Sequence, residues 1–489
     1  MNNFAIGVLC LTLSLWSSML SAKTALTMSG YKTIRVGNAE AIVEQGFMEV
    51  PENRKNSVSN TITLPLYRLK STAKHPASAI FLLAGGPGAS WIDQFEQEEN
   101  FREVLFYQSI ADVVLFDQRG AGHSLPRMQC SQTLTLDHLQ LLQAKTVRDS
   151  FRKIAGQCRD VWLTKGIDLS AYNTMENAAD VNDLRNALGY SKISLIGGSY
   201  GSHLALHYMK RYPETLASVL LHGVEGPDHT WDNPAGLSAA LQRIALVAEQ
   251  STQLHSQIPP AGLLATLQQV IDRLQKNPQK ISISDSNGKS TEVIVDAELV
   301  RQIASRNAGR RNKPNAWPEM ILAMHHGDYS EAARIAARRQ TLQLSDPMHY
   351  MMDCSSGISA SRRKQYADDP ATRLLGDINV EYDYLCDAWP SVDLGDDFRS
   401  NATVDTPTLI LHGTWDTSTP IENAREVAAA LPSSHLVEVR GGTHGVLYNL
   451  YSHDPPAREW IRAFLAGEKT AFPSTVDLPA VEFSALPKK

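Results

Sequence analysis

The sequence predicts an α/β fold, a mostly parallel sheet with helices on both faces, carrying a large, mainly helical insert. Three observations point to it. Short apolar runs at 79–84, 113–116 and 193–196 have the length and aliphatic makeup of strands buried on both faces. Helical periodicity alternates with these runs, as in Asn177 to Leu188, the order that builds parallel sheets. After Gly226 the buried-strand runs stop, and they resume only at Thr408.

At 489 residues the chain is too long for a single compact core. Hydrophobic residues make up 43% and charged residues 20%, as in ordinary water-soluble proteins. A net charge of −6 with no basic cluster argues against nucleic acid or an anionic membrane surface as the main partner. The first residues differ in character. Phe4 to Leu20 is almost wholly apolar or small, and no charged side chain precedes Lys23. This stretch is too short and Ser-rich for a membrane span and reads as a secretory signal peptide, residues 1–22, cleaved after Ala22. The expected location is therefore secreted or periplasmic, with no stable membrane insertion after cleavage; an uncleaved anchor is the competing reading.

Export fits the cysteines. Beyond the signal, Cys130, Cys158, Cys354 and Cys386 remain, an even number that allows three pairings. The nearest-neighbour pairing, Cys130 with Cys158 and Cys354 with Cys386, is the expectation; each bridge would close a loop of about 30 residues and stabilise by roughly 3 kcal/mol. No Cys-x-x-Cys occurs, so no zinc site is expected, and no metal or organic cofactor is implied.

In chain order, Gly46 to Pro51 and Thr61 to Leu66 read as strands of a leading hairpin region within residues 33–70. Ala79 to Ala84 runs into Gly85-Gly86-Pro87-Gly88, and Val113 to Phe116 enters Asp117-Gln118-Arg119-Gly120. Residues 131–165 read as helical. Residues 228–398 carry helical periodicity, as in Leu237 to Ser251 and Ala261 to Leu274, broken by one polar hairpin from Lys280 to Val295 with a turn at Ser286-Asn287-Gly288. From about Pro473 the chain reads as a loose tail. The domain reading is a core of residues 23–227 and 399–489 with a helical cap of residues 228–398.

The chemistry centres on Lys192 to Leu206. A strand, Gly197-Gly198-Ser199-Tyr200-Gly201 and a helix follow one another directly. That context makes a nucleophile elbow, a sharp strand-to-helix turn that exposes the serine Oγ. A serine hydroxyl needs a base, and the base needs an orienting group. In the Ser, acid, His chain order of such folds, Asp416 follows the apolar strand Thr408 to Leu411, and His444 follows the strand Leu436 to Val439. His412 and His435 fall at the wrong places for the base. The N–H groups of Tyr200 and Gly86 are the expected oxyanion donors. Asp117 and Arg119 read as braces of the surrounding loops.

The motifs together are specific. Ala84-Gly85-Gly86-Pro87-Gly88 resembles the His-Gly-Gly-Pro-Gly of prolyl iminopeptidases. Asp117-Gln118-Arg119-Gly120-Ala121-Gly122-His123-Ser124 and Gly197-Gly198-Ser199-Tyr200-Gly201 are similar to two further motifs of that family. The length, signal and cysteines, with Cys386-Asp387-Ala388-Trp389-Pro390, look more like its secreted tripeptidyl aminopeptidase branch. Ala84 stands where the family has His.

The resemblance implies an α/β-hydrolase core and a serine peptidase acting through an acyl-enzyme. It also implies a cap that selects peptides by their free N-terminus. A buried ammonium needs carboxylate partners; Glu225 and Asp228, at the junction of core and cap, are the candidates, with Asp353 a further one. A carboxylic ester hydrolase on the same fold is the alternative, and a catalytically inactive binding protein a third reading.

Overall fold

A computed structural model describes residues 24–486, apart from 136, 138, 140, 142–144, 285–287, 289, 308–315, 339–340, 344–345 and 390. The signal peptide, most of the Ser286-Asn287-Gly288 turn and Pro390 of the Cys-x-x-Trp-Pro stretch lie outside the described residues.

The core is one sheet of ten strands among the described residues. In chain order they are β1 (Ala25–Val36), β2 (Ala39–Pro51), β3 (Thr61–Leu69), β4 (Ala77–Leu83), β5 (Ala111–Phe116), β6 (Ile193–Ser199), β7 (Leu216–Val224), β8 (Thr408–Gly413), β9 (Ser434–Arg440) and β10 (Thr475–Asp477). The spatial order is β1-β2-β3-β5-β4-β6-β7-β8-β9-β10. β1, β2, β3 and β5 pair antiparallel; from β5 to β10 every pairing is parallel.

The apolar runs form central strands because both of their faces are covered. Along β4, Ile80 and Leu82 enter one apolar cluster while Phe81 and Leu83 enter another. Along β5, Val113 and Leu115 part from Val114 and Phe116 in the same way. Side chains of a strand alternate between faces, so continuous apolarity is what two covered faces require.

Three regions depart from the sequence reading. The leading strands begin at Ala25 rather than near residue 33. In residues 131–165, Thr133–Thr135 is a strand paired with Thr341–Gln343, and the helix begins only at Lys145; a partner so distant in sequence leaves no local periodicity. The tail is not loose. β10 pairs in parallel with Glu438–Arg440, and Phe483, 3% exposed, is buried against the insert. Pairing satisfies the edge of β9, and burial of an aromatic ring fixes the segment that follows.

The insert does not pack as one body. Helices Pro234–Glu249, Leu263–Lys276 and Ala297–Asn307 share a cluster with Trp317 and Ile321. The helix Pro347–Ser356 instead sends Met348, Met351 and Met352 into the cluster on one face of the sheet, joined there by Leu385 and Trp389. Cys130 is bonded to Cys158 and Cys354 to Cys386, with Cα–Cα distances of 5.4 and 5.3 Å.

Candidate active site

β6 ends at Ser199, and the helix Tyr200–Arg211 begins at the next residue. The turn forces Ser199 to φ 56°, the one positive φ of a non-glycine residue among the described residues. Such strain persists only where the surroundings impose it. They do so through close approach: a Cβ on Gly197 would lie 2.3 Å from Gly201 O, and one on Gly201 2.3 Å from Leu83 O. Ser199 is left half-buried while Tyr200 is fully buried.

Asp416 and His444 follow the carboxyl ends of β8 and β9. His444 Nδ1 and Asp416 Oδ2 are 2.8 Å apart. Asp416 is completely buried, yet it is held below the usual carboxylate range. Burial pushes its pKa up, and this is outweighed by the charge and hydrogen bond of His444, the charge of His412 and the N–H of Thr419. Its other oxygen accepts from the N–H groups of Ser418 (2.9 Å) and Thr419 (3.0 Å). Burial lowers the pKa of His444, and the Asp416 charge and hydrogen bond reverse this to a net rise.

His412 is not placed as the base. Its Nδ1 accepts from Val224 N (3.1 Å) and its Nε2 meets Thr419 O (2.6 Å), so both ring nitrogens are occupied. His435 Nε2 lies 3.1 Å from Pro473 O, at the sheet edge.

The Gly85-Gly86-Pro87-Gly88 turn lies against the elbow: a Cβ on Gly85 would be 3.2 Å from Ser199 Cβ. Gln118 Nε2 donates to Ala84 O (2.9 Å), bracing the turn where the related motif has His. Asp117 accepts from Ser90 Oγ (2.8 Å) and His123 N (2.9 Å). Arg119, fully buried, donates to Asp180 Oδ2 (2.8 Å), Glu52 O (2.6 Å) and Ala171 O (2.7 Å). Both act within the framework.

Beside the elbow lies a pair of acids. Ser199 is the register partner of Val224 across β6 and β7, and Glu225 comes next. Glu225 N donates to Ser202 Oγ (2.9 Å), which donates to Ser199 O (2.6 Å). Glu225 is 7% exposed, and its Oε1 has no hydrogen-bond partner among the described residues. His203 Nδ1 stands 3.6 Å from that oxygen but supplies no charge: burial brings its pKa down to about 4, and Nδ1 is 3.1 Å from Gly226 O. Asp353, 3% exposed, accepts from Tyr382 OH (3.1 Å). Burial raises Glu225 well above the usual range, and the nearby charges of Asp353 and Asp232 raise it further. Burial likewise raises Asp353 to about 6.

Asp228 is committed elsewhere. Its oxygens accept from Ser359 N (2.6 Å), Ser359 Oγ (2.7 Å) and Arg362 Nε (3.3 Å), so it is engaged with the segment around Ser359. Ser202, Thr419 and Tyr382 took no part in the sequence reading; as short-range hydrogen-bonding partners they leave no motif. Among the described residues no group of His, Cys, Asp and Glu could hold a metal ion.

Residues 78–276 match the family described as alpha/beta hydrolase fold, and residues 372–471 match the family described as TAP-like protein. The fold is the α/β-hydrolase fold. The chain is similar to a putative hydrolase, YuaR, of Escherichia coli strain K12, 23% identical over 442 residues, covering 82% of this chain and 81% of that one. It is similar to the serine protease Hip1 of Mycobacterium tuberculosis, 22% identical over 460 residues, covering 87% and 85%. A proline iminopeptidase of Xylella fastidiosa is 26% identical over 203 residues, 38% of this chain and 50% of the relative. These matches bear out the resemblance to the prolyl iminopeptidase and tripeptidyl aminopeptidase group read from the motifs. No helix among the described residues is long and apolar enough to cross a membrane.

Proposed function

We propose that this protein is an exported serine aminopeptidase that releases N-terminal residues from peptides through an acyl-enzyme. Ser199 Oγ attacks the scissile carbonyl, and His444 takes its proton while Asp416 fixes the imidazole tautomer and stabilises the imidazolium. The N–H groups of Tyr200 and Gly86 receive the developing oxyanion. His444 then returns the proton to the leaving amine, and water, activated by the same imidazole, releases the acyl group from Ser199. Residues 228–398 serve as the cap that limits access to chain ends.

One observation favours an aminopeptidase over an esterase. Glu225, one residue beyond the strand partner of Ser199, is a buried carboxylate with an unpartnered oxygen and a second acid, Asp353, nearby. His349 Nε2 stands 3.5 Å from Asp353 Oδ2, so it is Glu225 that is left short of a partner, and an uncompensated buried acid is costly. An ammonium from the substrate supplies the missing charge, and Glu225 with Asp353 become its partners. A neutral ester has no use for them.

The test compares an aminoacyl amide bearing a free amine with its N-acetylated form. The free-amine substrate should be hydrolysed and the blocked one rejected. Equal turnover of both would favour the ester hydrolase reading, and failure of a fluorophosphonate to label Ser199 would favour a binding protein.

A further inference from the structure

The two disulfides sit in different surroundings. Cys130 and Cys158 are 2% and 1% exposed, inside the cluster on one face of the sheet. Cys354 and Cys386 are each half-buried, nearer to solvent than the first pair.

The second bridge is also placed differently with respect to chemistry. Cys354 directly follows Asp353 in the helix Pro347–Ser356. Cys386 directly follows the helix Val380–Leu385, which carries Tyr382. The same two segments are therefore tied twice: by Tyr382 OH donating to Asp353 Oδ2 (3.1 Å), and by the Cys354–Cys386 bond. The Tyr382 ring is held in turn by stacking on Trp231, with centroids 5.2 Å apart and planes 9° from parallel.

We propose that the Cys354–Cys386 bond and Tyr382 are positioning residues for Asp353, so that the oxidation state of this bridge governs selectivity for free amines while the nucleophile is unaffected. The inference rests on the reading of Glu225 and Asp353 as the amine site. Glu225 is anchored on the end of β7 and backed by Ser202; Asp353 is on a helix of the insert. The charge of Asp353 is felt at Glu225, so the two acids repel as they ionise, and the repulsion favours separation of the helix from the sheet. A hydrogen bond from one neutral phenol resists this weakly; a covalent bond at the adjacent residue restricts the displacement. In reduction, a dithiol gives two electrons to the S–S bond. Two thiols form at Cys354 and Cys386, and the reagent closes to its own disulfide. Once released, Asp353 leaves the ammonium with one partner in place of two. A displacement of about 1 Å is enough to lower productive binding severely.

The experiment uses the intact protein treated with graded dithiothreitol. Alkylation and mass mapping report which cysteines have opened, and kinetics are measured on a free-amine aminoacyl amide and on a small neutral ester. Opening of Cys354–Cys386 alone should raise KM for the amide by about ten-fold or more. Ester hydrolysis and fluorophosphonate labelling should stay unchanged, and reoxidation should restore KM. The Cys354→Ser/Cys386→Ser variant should behave as the reduced protein and no longer respond to dithiothreitol, and Tyr382→Phe should raise KM for the amide alone. Mapped opening of this bridge with unchanged amide kinetics would overturn the proposal, as would an equal loss on amide and ester. If Glu225→Gln also leaves the amide unaffected, the amine-site reading itself fails; if Glu225→Gln cripples the amide and bridge opening does not, only this inference fails.

Discussion

Thr419 holds Asp416 from two sides: its N–H donates to Oδ1 (3.0 Å) and its Oγ1 to Oδ2 (2.8 Å), the oxygen that also faces His444 Nδ1. The carboxylate is thus kept charged in a fully buried position. Asp416→Asn replaces the acceptor facing His444 by a group that can donate, favouring the wrong imidazole tautomer. kcat should fall on the order of 10⁴-fold with KM little changed, measured on either an ester or a peptide amide. A loss of less than ten-fold would remove Asp416 from the mechanism.

The pH dependence follows from the same pair. His444 acts as a base only when neutral, and Asp416 raises its pKa above the ordinary histidine value. Activity on a neutral ester should therefore fall as pH drops through a limb above about 6.5, and in Asp416→Asn the limb should move to lower pH. Free-amine substrates should show a further acidic limb, because Glu225 and Asp353, both raised by burial, protonate as pH falls and neutral acids cannot pair with an ammonium. Measuring kcat/KM for both substrate classes across pH 5 to 9 checks this; identical profiles would contradict it.

The elbow tolerates no side chain at Gly201, since the atom that a Cβ would meet at 2.3 Å is the main-chain oxygen of Leu83. Backbone of a central strand cannot yield as a flexible side chain does. Gly201→Ala should therefore destabilise the protein, by a few kcal/mol, and remove activity by distorting Ser199. Chemical denaturation and fluorophosphonate labelling read the two effects; a variant of wild-type stability and rate would contradict the packing argument.

The buried bridge serves stability. The Cys130→Ser/Cys158→Ser variant should lose roughly 3 kcal/mol in chemical denaturation while its preference for free over blocked amines persists. A changed preference would link that bridge to the substrate site as well.

The sequence exposed those parts of this protein that are local. Strands β4, β5 and β6 were legible because burial on both faces demands uninterrupted apolarity. Ser199 was legible because a strand, a glycine-framed turn and a helix are contiguous. Asp416 and His444 stood out because each closely follows an apolar strand, and they are found hydrogen-bonded to each other. What depends on distant contacts was not legible. Asp353 ranked behind Asp228 because nothing beside it in the chain marks it: packing of Met348, Met351 and Met352 and the bond to Cys386 put it in place. Asp228 looked free because Ser359 and Arg362, which occupy it, lie more than a hundred residues away. The strand at Thr475–Asp477 and the burial of Phe483 were hidden for the same reason.

The claim that Glu225 reads the substrate's amine rests on a buried carboxylate oxygen without a hydrogen-bond partner among the described residues, and one measurement addresses it most directly. It is the kcat/KM ratio between a free-amine aminoacyl amide and a neutral ester of the same acyl group, in the wild type and in Glu225→Gln. The substitution keeps shape and removes charge, so loss of a buried charge partner should lower the amide value by on the order of 10² to 10³-fold and leave the ester value within about two-fold. An unchanged ratio, whether both substrates fell together or neither did, would contradict the assignment of Glu225 to the substrate amine.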